Sequence, residues 1–500
     1  MKKFIVFAVV LALLVPAAAF AATEFSLGGY IKLDSMWDSD NGVGRYINAA
    51  PARTNDANAK HGKLRFTAQG SRFNFTIKGP KLWGADVSGF LEMDFDANTE
   101  RPLMGTGFTA SNSYVPRLRH AMFRFNWPTS ELLFGQYWSM FCEYYIESAE
   151  DGPFQMTGTP THRLAQIRFT QKFAGDWTVA ALIGDPSQAL LNNSAAVNNA
   201  ATTGPYNANA TNGQSAETPQ VQLKVNYAHD FWGKAAYYGK PIPFTAQVVA
   251  GWQRNVLREG NFPAAAGFGT LGNQRLAPAA NPVSDVGMQA ASINTRNQYV
   301  NPWLVMGSLF IPVIPTQSAN LAGTASILTQ WWIGQGIEVF GFTGVASNLY
   351  KFTSNQNNLA TSQVYEAKLL QKYGGMVEGQ YYFNNQWFLN AAYGITKAYG
   401  VNRSRFNFGS AAASGLNGME WAMGDNAQTI QQADITLWYR PIQAIKFGLQ
   451  YSYAAAHYFA YANQTASNTL LPVGNVANNA VNRSNFGEAH RVEFVGFFFF

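Results

Sequence analysis

Charge is scarce in this chain: Asp, Glu, Lys and Arg make up 13% of its 500 residues, against about a quarter in an ordinary soluble domain. Cysteine is almost absent. Cys142 stands alone, which excludes an intrachain disulfide, a CxxC metal site and a CxxCH haem attachment. Long apolar runs are missing beyond the N-terminus. The most apolar internal stretch, Trp303 to Pro315, holds two prolines and falls short of the roughly 20 residues that a spanning helix needs. A polytopic helical membrane protein is therefore excluded. No basic run accompanies the net charge of +6, so nucleic-acid binding has no support. Aromatic residues, in contrast, are plentiful: 13 Trp, 23 Tyr and 37 Phe argue against intrinsic disorder.

The N-terminus reads as an export signal. Lys2 and Lys3 form a charged start, Phe4 to Val15 an apolar core, and Ala19-Phe20-Ala21 a small-residue cleavage site. The expected division is a signal peptide over 1–21 and one transmembrane β-barrel domain over 22–500. The apolar core is too short for an uncleaved membrane anchor.

From there the hydrophobic period is two. In Phe25 to Asp34, Phe25, Leu27, Gly29, Ile31 and Leu33 share one face; Ser26, Gly28, Tyr30, Lys32 and Asp34 share the other. Val87 to Asp96 and Ile445 to Tyr453 alternate in the same way. A soluble β-sandwich would alternate too, so the connections have to decide. Long polar connections (Ser39 to His61, Asn98 to Val115, Pro186 to Glu217, Arg258 to Asn297, Val401 to Gln428, Ala460 to Asn485) alternate with short ones. The short ones carry turn residues: Gly79-Pro80, Trp127-Pro128, Gly175-Asp176, Pro315, Asn384-Asn385 and Arg440-Pro441. That segregation belongs to an outer-membrane barrel with tight periplasmic turns and long outer loops. The expected fold is an all-β, transmembrane antiparallel barrel of 16 strands. Eighteen are possible, because 335–365 has room for a further hairpin and 257–298 is poorly patterned.

Trp83, Trp127, Trp177, Trp232, Trp387 and Trp438 sit near the short turns, as an interfacial girdle would. The chain ends on Arg491 to Phe500, with Val492, Phe494, Phe498 and Phe500 on one face. Such a terminal aromatic strand resembles the recognition signal of the barrel-assembly machinery, and it would be an aggregation hazard in water. Lipid and lipopolysaccharide are the expected surroundings, in the outer membrane of a Gram-negative bacterium. A sixteen-stranded barrel leaves a lumen too wide for side chains to fill.

A pore selects by width, hydrogen-bond groups and rings of charge. The third long connection, Phe141 to Thr161, holds Glu143, Glu147, Glu150 and Asp151 with Tyr144 and Tyr145, and no Lys or Arg. Folded inward, its carboxylates would face Lys32, Arg65 with Lys63, Arg117, Arg119, and Arg168 with His162 on the wall, producing a transverse field. The alternative is an external loop with solvated charges. Arg117 to Asn126 carries Arg on both faces, and an Arg at mid-depth in lipid costs about 2–4 kcal/mol. A bulge, or Arg124 lying at the interface, would remove the conflict. No G-x-S-x-G, HExxH or calcium-loop spacing occurs, so neither an enzyme nor a cofactor is expected. A spatially assembled Ser/His site on the wall is the remaining catalytic possibility.

Ser71 to Phe95, Arg117 to Phe125 (RLRHAMFRF), Leu132 to Phe141 (LLFGQYWSMF) and Ser308 to Pro315, with the opening Gly29 to Asp34, resemble the DcaP-like outer-membrane porins. The resemblance is fullest over roughly the first 175 residues. It implies a sixteen-stranded homotrimeric channel passing small anionic organic acids of the dicarboxylate or phthalate kind, with Arg119 and Gly135 to Phe141 at the constriction. The best-known members carry an N-terminal coiled-coil extension, whereas the strand pattern here begins within a few residues of Ala21. Other readings are a saccharide channel with an aromatic track (Tyr30, Tyr144, Tyr145), a sheath around a periplasmic multihaem cytochrome, and an outer-membrane enzyme or adhesin.

Overall fold

A computed structural model describes residues 23–41, 43–47, 50–54, 57–96, 114–150, 156–186, 216–259, 296–342, 345, 348–355, 358–399, 420–421, 427–458 and 484–500. The expected signal peptide lies outside them. The wall strands are β1 (Glu24–Asp38), β2 (Lys63–Thr67 continued by Arg72–Leu82), β3 (Ala85–Asp94), β4 (Arg117–Asn126), β5 (Ser130–Trp138), β6 (Arg163–Lys172), β7 (Trp177–Gly184) and β8 (Gln220–His229). They continue as β9 (Phe244–Trp252), β10 (Trp303–Ile314), β11 (Ala325–Gln335), β12 (Gln371–Tyr382), β13 (Trp387–Tyr399), β14 (Ala427–Ile442), β15 (Ile445–Tyr458) and β16 (Phe486–Phe499).

Each strand pairs antiparallel with the next, and β1 pairs with β16 from Tyr30↔Phe499 to Asp38↔Arg491. The sheet therefore closes on itself. Closure is what lipid demands, because an open edge would leave N–H and C=O groups with no partner in the hydrocarbon. The sheet counts 17 segments, two of which are the halves of β2, so the wall has sixteen strands. Strands do occur in both regions that left eighteen open. Asn348–Asn355 pairs with Asn358–Leu369, and Asn255–Glu259 with Arg296–Val300, in small sheets separate from the wall. No described helix is long and apolar enough to cross a membrane.

Alternation sorts side chains as the sequence indicates. On β1, Phe25, Leu27, Ile31, Leu33 and Trp37 are exposed on the outer face, while Lys32, Asp34 and Asp38 are buried on the inner one. On β15, Phe447, Leu449 and Tyr451 point out, whereas Lys446, Gln450 and Ser452 point in. The terminal phenylalanines split between the two. Phe498 and Phe500 are exposed, and Phe497 and Phe499 pack inward on Tyr30 with ring centroids 5.3 and 5.6 Å away.

Three expectations need correction. Trp83, Trp177, Trp232 and Trp387 are exposed at the short-turn end, as a girdle requires, but Trp438 is wholly buried. It has the inward parity of Asp434 and Thr436 on β14, and its ring covers the Lys446 ammonium at 3.7 Å. Second, Gly79-Pro80 is not a turn. The turn is Trp83-Gly84, both with positive φ (51° and 76°), the two-residue geometry that suits strand twist. Third, Arg440-Pro441 likewise precedes its turn. Both prolines fall where the register shifts, between Lys78 and Lys81 and between Tyr439 and Ile442. A bulge tolerates a residue with no N–H to give the ladder.

The two tryptophan environments are separable by experiment. Trp438→Ala should cost about 3–5 kcal/mol, the usual range for emptying a buried aromatic site. Trp387→Ala should cost markedly less and chiefly reduce fluorescence quenching by interfacial bromolipids. Urea titration of refolded protein in vesicles, read by tryptophan fluorescence, measures both.

Candidate pore constriction

The connection between β5 and β6 folds into the lumen and lies along the inner wall. It begins with a buried one-turn 3-10 helix, Met140–Cys142, capped by the Ser139 hydroxyl, which accepts from the Phe141 N–H. Gln222 on β8 accepts from both the Ser139 hydroxyl and the Met140 N–H at 3.0 Å. Further along, Gln330 on β11 donates to the Tyr144 carbonyl at 2.9 Å, and Glu378 on β12 accepts from the Glu147 N–H at 3.0 Å. Gln450 on β15 accepts from the Ala149 N–H at 2.7 Å, and Lys32 on β1 donates to the Ala149 carbonyl at 2.7 Å. On the return, Gln432 on β14 accepts from Thr157, and the Trp332 indole on β11 donates to the Gly158 carbonyl at 2.7 Å. Hydrogen bonds from a buried loop to so many strands satisfy backbone groups that would otherwise be orphaned.

Charge fixes the same loop. Glu143 is held by Lys224 on β8 at 2.5 Å, Glu147 by Lys446 on β15 at 2.5 Å, and Glu150 by Arg491 on β16, which also binds Asp38 at 2.7 Å. Burial pushes the Glu150 carboxyl up, and Arg491 opposes that shift. Glycine makes the close approach possible: a Cβ on Gly394 of β13 would collide with Thr157 and Met156.

A second segment joins it. The 3-10 turn Ile337–Phe340 between β11 and β12 buries Ile337, Val339 and Phe340, and Phe342 follows them. These pack with Met140, Phe141, Leu304, Met306 and Trp332 as one apolar cluster inside the barrel. Phe141 and Phe340 meet edge to face at 5.5 Å, and Phe342 lies 4.4 Å from Trp332. Glu338 is paired with Lys372, and the Thr161 N–H donates to Gly341 at 2.9 Å. Apolar side chains thus fill this sector of the lumen.

The sequence-derived residues fall into two groups. Lys32 is buried beneath the third loop, 2.7 Å from Asp34. Glu147 and Glu150 are buried against the wall, and Asp151 lies outside the described residues. Lys63 donates to the Asn41 carbonyl near the long-loop end, with the half-buried Arg65 two residues on. His162 is buried and pushed down to about 4 by desolvation, so it is neutral at pH 7.

The second group stands on β2 to β8. Arg117 clasps Asp94 at 2.6 and 2.9 Å, and Arg119 bridges Glu92 at 2.6 Å and Asp94 at 2.7 Å. Their nearest partners are wall carboxylates, and Arg117 also reaches Asp96, just past β3, at 3.4 Å. Arg168 is 3.8 Å from Glu143, where the loop lies against the wall, and 3.7 Å from Glu131. The β4 conflict ends in a bulge: Glu92 pairs with His120 and Met93 with Leu118, leaving Arg119 as the extra residue. Arg119 and His120 thereby both point inward, Leu118 and Phe123 point out, and Arg124 reaches Glu131 at 3.2 Å inside the barrel.

Lys224, Lys446 and Arg491 were missed as partners of the loop, and Arg72, Tyr137, Trp138 and Arg163 as neighbours of the arginine group. Parity would have found the strand residues: Gln220, Gln222 and Lys224 alternate, and Lys446 and Arg491 sit on polar faces. Arg163 stacks over Trp138 at 4.8 Å, Arg168 over Tyr137 at 5.4 Å, and Arg72 over Tyr30 at 5.1 Å. Solvent exposure divides the charges. The Arg117, Arg124, Glu131 and Glu143 side chains remain 22–30% exposed, while those of Lys32, Asp34 and Arg491 are at 0%. The partly exposed charges thus lie on β4, β5 and the start of the third loop, beside Arg119 and Arg168, which are at 4% and 9%.

A closed sixteen-stranded barrel with an inward third loop defines a porin-type outer-membrane barrel, and the fold indicates the outer membrane of a Gram-negative bacterium. Among solved structures the chain is similar to the outer membrane channel DcaP of Acinetobacter baumannii, with TM-score 0.59 and 15% identity over 96% of this chain and 98% of that one. OmpT of Vibrio cholerae gives TM-score 0.45 at 10% identity, covering 96% and 98%. Pseudomonas putida OprB gives 0.45 at 9%, covering 96% and 94%. No protein-family model and no curated protein matches the chain. The likeness to DcaP is one of fold, and it agrees with the resemblance read from the sequence segments.

Burial pushes the Cys142 thiol up to about 12, leaving about a thousandfold less thiolate than an ordinary cysteine. Intact protein should resist a charged methanethiosulfonate. Gly394→Val should displace the loop and expose Cys142 to the same reagent, as mass spectrometry would detect. Labelling of the unmodified channel at an ordinary thiol rate would contradict the buried loop.

Proposed function

We propose that the chain is a porin through which small hydrophilic, anionic organic solutes of the dicarboxylate kind diffuse. The observation that carries this reading is the loop-narrowed path along β2 to β8. Arg72, Arg117, Arg119, Arg124, Arg163 and Arg168 stand there against Glu92, Asp94, Asp96 and Glu131. Cations in excess of carboxylates at a narrow point attract anions, and the forked guanidinium suits a carboxylate. Three acidic side chains of the third loop are paired with wall cations, Glu143 with Lys224, Glu147 with Lys446, and Glu150 with Arg491, which Asp38 shares.

A sheath for a haem protein is disfavoured by a lumen occupied from within. We further propose a homotrimer whose subunits meet through the outward aromatic face of β4 and β5. There Phe123 stacks on Phe134 at 5.2 Å, and Phe125 packs edge-on to both. Chemical crosslinking in the membrane should yield a species of three chains.

Single-channel recording in a salt gradient tests the solute class. A unit charge 4 Å from a passing ion is worth about 1 kcal/mol even at the dielectric constant of water. Arg117→Gln should therefore lower the anion-to-cation permeability ratio by about fivefold from the anion's lost attraction alone, and further as the cation's repulsion is relieved. Cation selectivity in the unmodified channel would reject the anionic reading. Arg119→Ala leaves Asp94 with Arg117 and Glu92 with the more distant Arg72 at 3.8 Å, so its first effect should be a stability loss of about 1–3 kcal/mol in urea titration, from the weakened Glu92 pairing.

A further inference from the structure

The connection between β8 and β9, residues 230–243, is the longest at the short-turn end, although two to five residues join neighbouring antiparallel strands. It folds as a hairpin of its own. Ala235–Tyr237 pairs with Lys240–Ile242 around Tyr238-Gly239, whose φ values are 49° and 71°. That is the two-residue turn favoured by strand twist, here with a tyrosine in a conformation that bulky residues rarely adopt.

Its base and flank are fixed to the wall. Lys234 bridges to Thr316, the Ser326 hydroxyl donates to the Ala236 carbonyl at 3.0 Å, and Tyr237 lies 6.0 Å from the Phe310 ring. Ala235 and Ala236 are buried, so the hairpin turns into the lumen. Its tip reaches across toward β14, where Arg440 lies within 3.5 Å of the place a Cβ on Gly239 would take.

There it meets the third loop from the short-turn side. The Tyr145 N–H donates to the Tyr237 hydroxyl at 3.2 Å, and the Tyr238 hydroxyl donates to the Ile146 carbonyl at 2.5 Å. The rings of Tyr144 and Tyr237, Tyr145 and Tyr238, and Tyr237 and Tyr238 pack edge to face at 5.7, 5.1 and 5.2 Å. Tyr237 and Tyr238 are only half-buried, so their remaining surface borders the space below the loop.

We propose that this hairpin is a second, short-turn-side constriction of the pore, with Tyr237 and Tyr238 as size-determining residues that also position the third loop. The inference rests on the chain being a channel. An outer-loop eyelet alone would leave the exit open. With the hairpin in place, a solute that has passed β2 to β8 must also clear the tyrosine ledge, and the ledge holds the loop at Tyr145 and Ile146.

The test compares unmodified protein, Tyr237→Ala with Tyr238→Ala, and a variant in which residues 230–243 are replaced by a short Asn-Gly turn. Single-channel conductance and the entry of neutral polyethylene glycols of graded size are measured on each. Both variants should raise conductance at least about 1.5-fold and admit larger polymers, because access widens as the bore does. Tyr238→Phe removes one hydroxyl only. It should increase open-channel noise about twofold or more, as the loop loses its Ile146 tether. Unchanged conductance and polymer cutoff in the double-alanine variant would overturn the second constriction, and unchanged noise in Tyr238→Phe would overturn the positioning role. If the short-turn variant does not fold, the double-alanine protein keeps the backbone and decides alone. An unmodified protein that forms no channels would instead reject the porin reading itself.

Discussion

Every backbone N–H and C=O of a chain crossing hydrocarbon must find its partner within the protein, because the solvent there offers none. The pairing of β1 with β16 meets that demand, and the rest of the molecule follows from it. A closed sheet has only two faces, and alternation commits each strand residue to one of them. Leu27, Ile31, Leu449 and Phe494 thereby face lipid. Lys32, Asp94, Arg119, Lys446 and Arg491 must then be housed inside, whatever the lumen contains.

A wall lined with charge needs partners, and inward-folded segments supply many of them. The third loop brings Glu143, Glu147 and Glu150 to three cations on three separate strands. Removing one member of a desolvated pair is far more damaging than the net worth of the pair, so these contacts lock the loop in one place more than they stabilise the barrel. The 3-10 turn at Ile337–Phe340 works by other means, burying apolar rings beside the loop. The fourth short turn adds tyrosines at the opposite mouth. In the proposed channel these segments narrow the barrel toward β2 to β8, where Arg72, Arg168 and Arg163 lie over the rings of Tyr30, Tyr137 and Trp138.

The limits of sequence reading are specific. Strand parity is a local property with period two, so the strands' order and lipid-facing residues could be read directly, while the count stayed at sixteen or eighteen until the 335–365 and 257–298 strands proved to lie outside the wall sheet. Bulges break parity without announcing themselves, which is why Arg119 and His120 came to share a face and why Gly79-Pro80 and Arg440-Pro441 looked like turns. Trp438 lies as near the Arg440-Pro441 pair as Trp387 does to Asn384-Asn385, and only its inward parity on the folded strand separates a core ring from a girdle ring. The inward loop could be anticipated from its acidic composition. Its partners could not, because Lys224, Lys446 and Arg491 lie about 80, 300 and 340 residues away.

What the amino-acid sequence determined by itself is the barrel. Alternation, connection length and the aromatic C-terminal strand are each written within a few consecutive residues. The channel that the barrel encloses was decided only by tertiary structure. Its bore depends on which loop side chain meets which wall side chain across the lumen, and on glycines such as Gly394 that let backbone lie on backbone. Those are contacts between residues remote in sequence, set by closure, shear and the packing of inserted segments, and no local pattern encodes them.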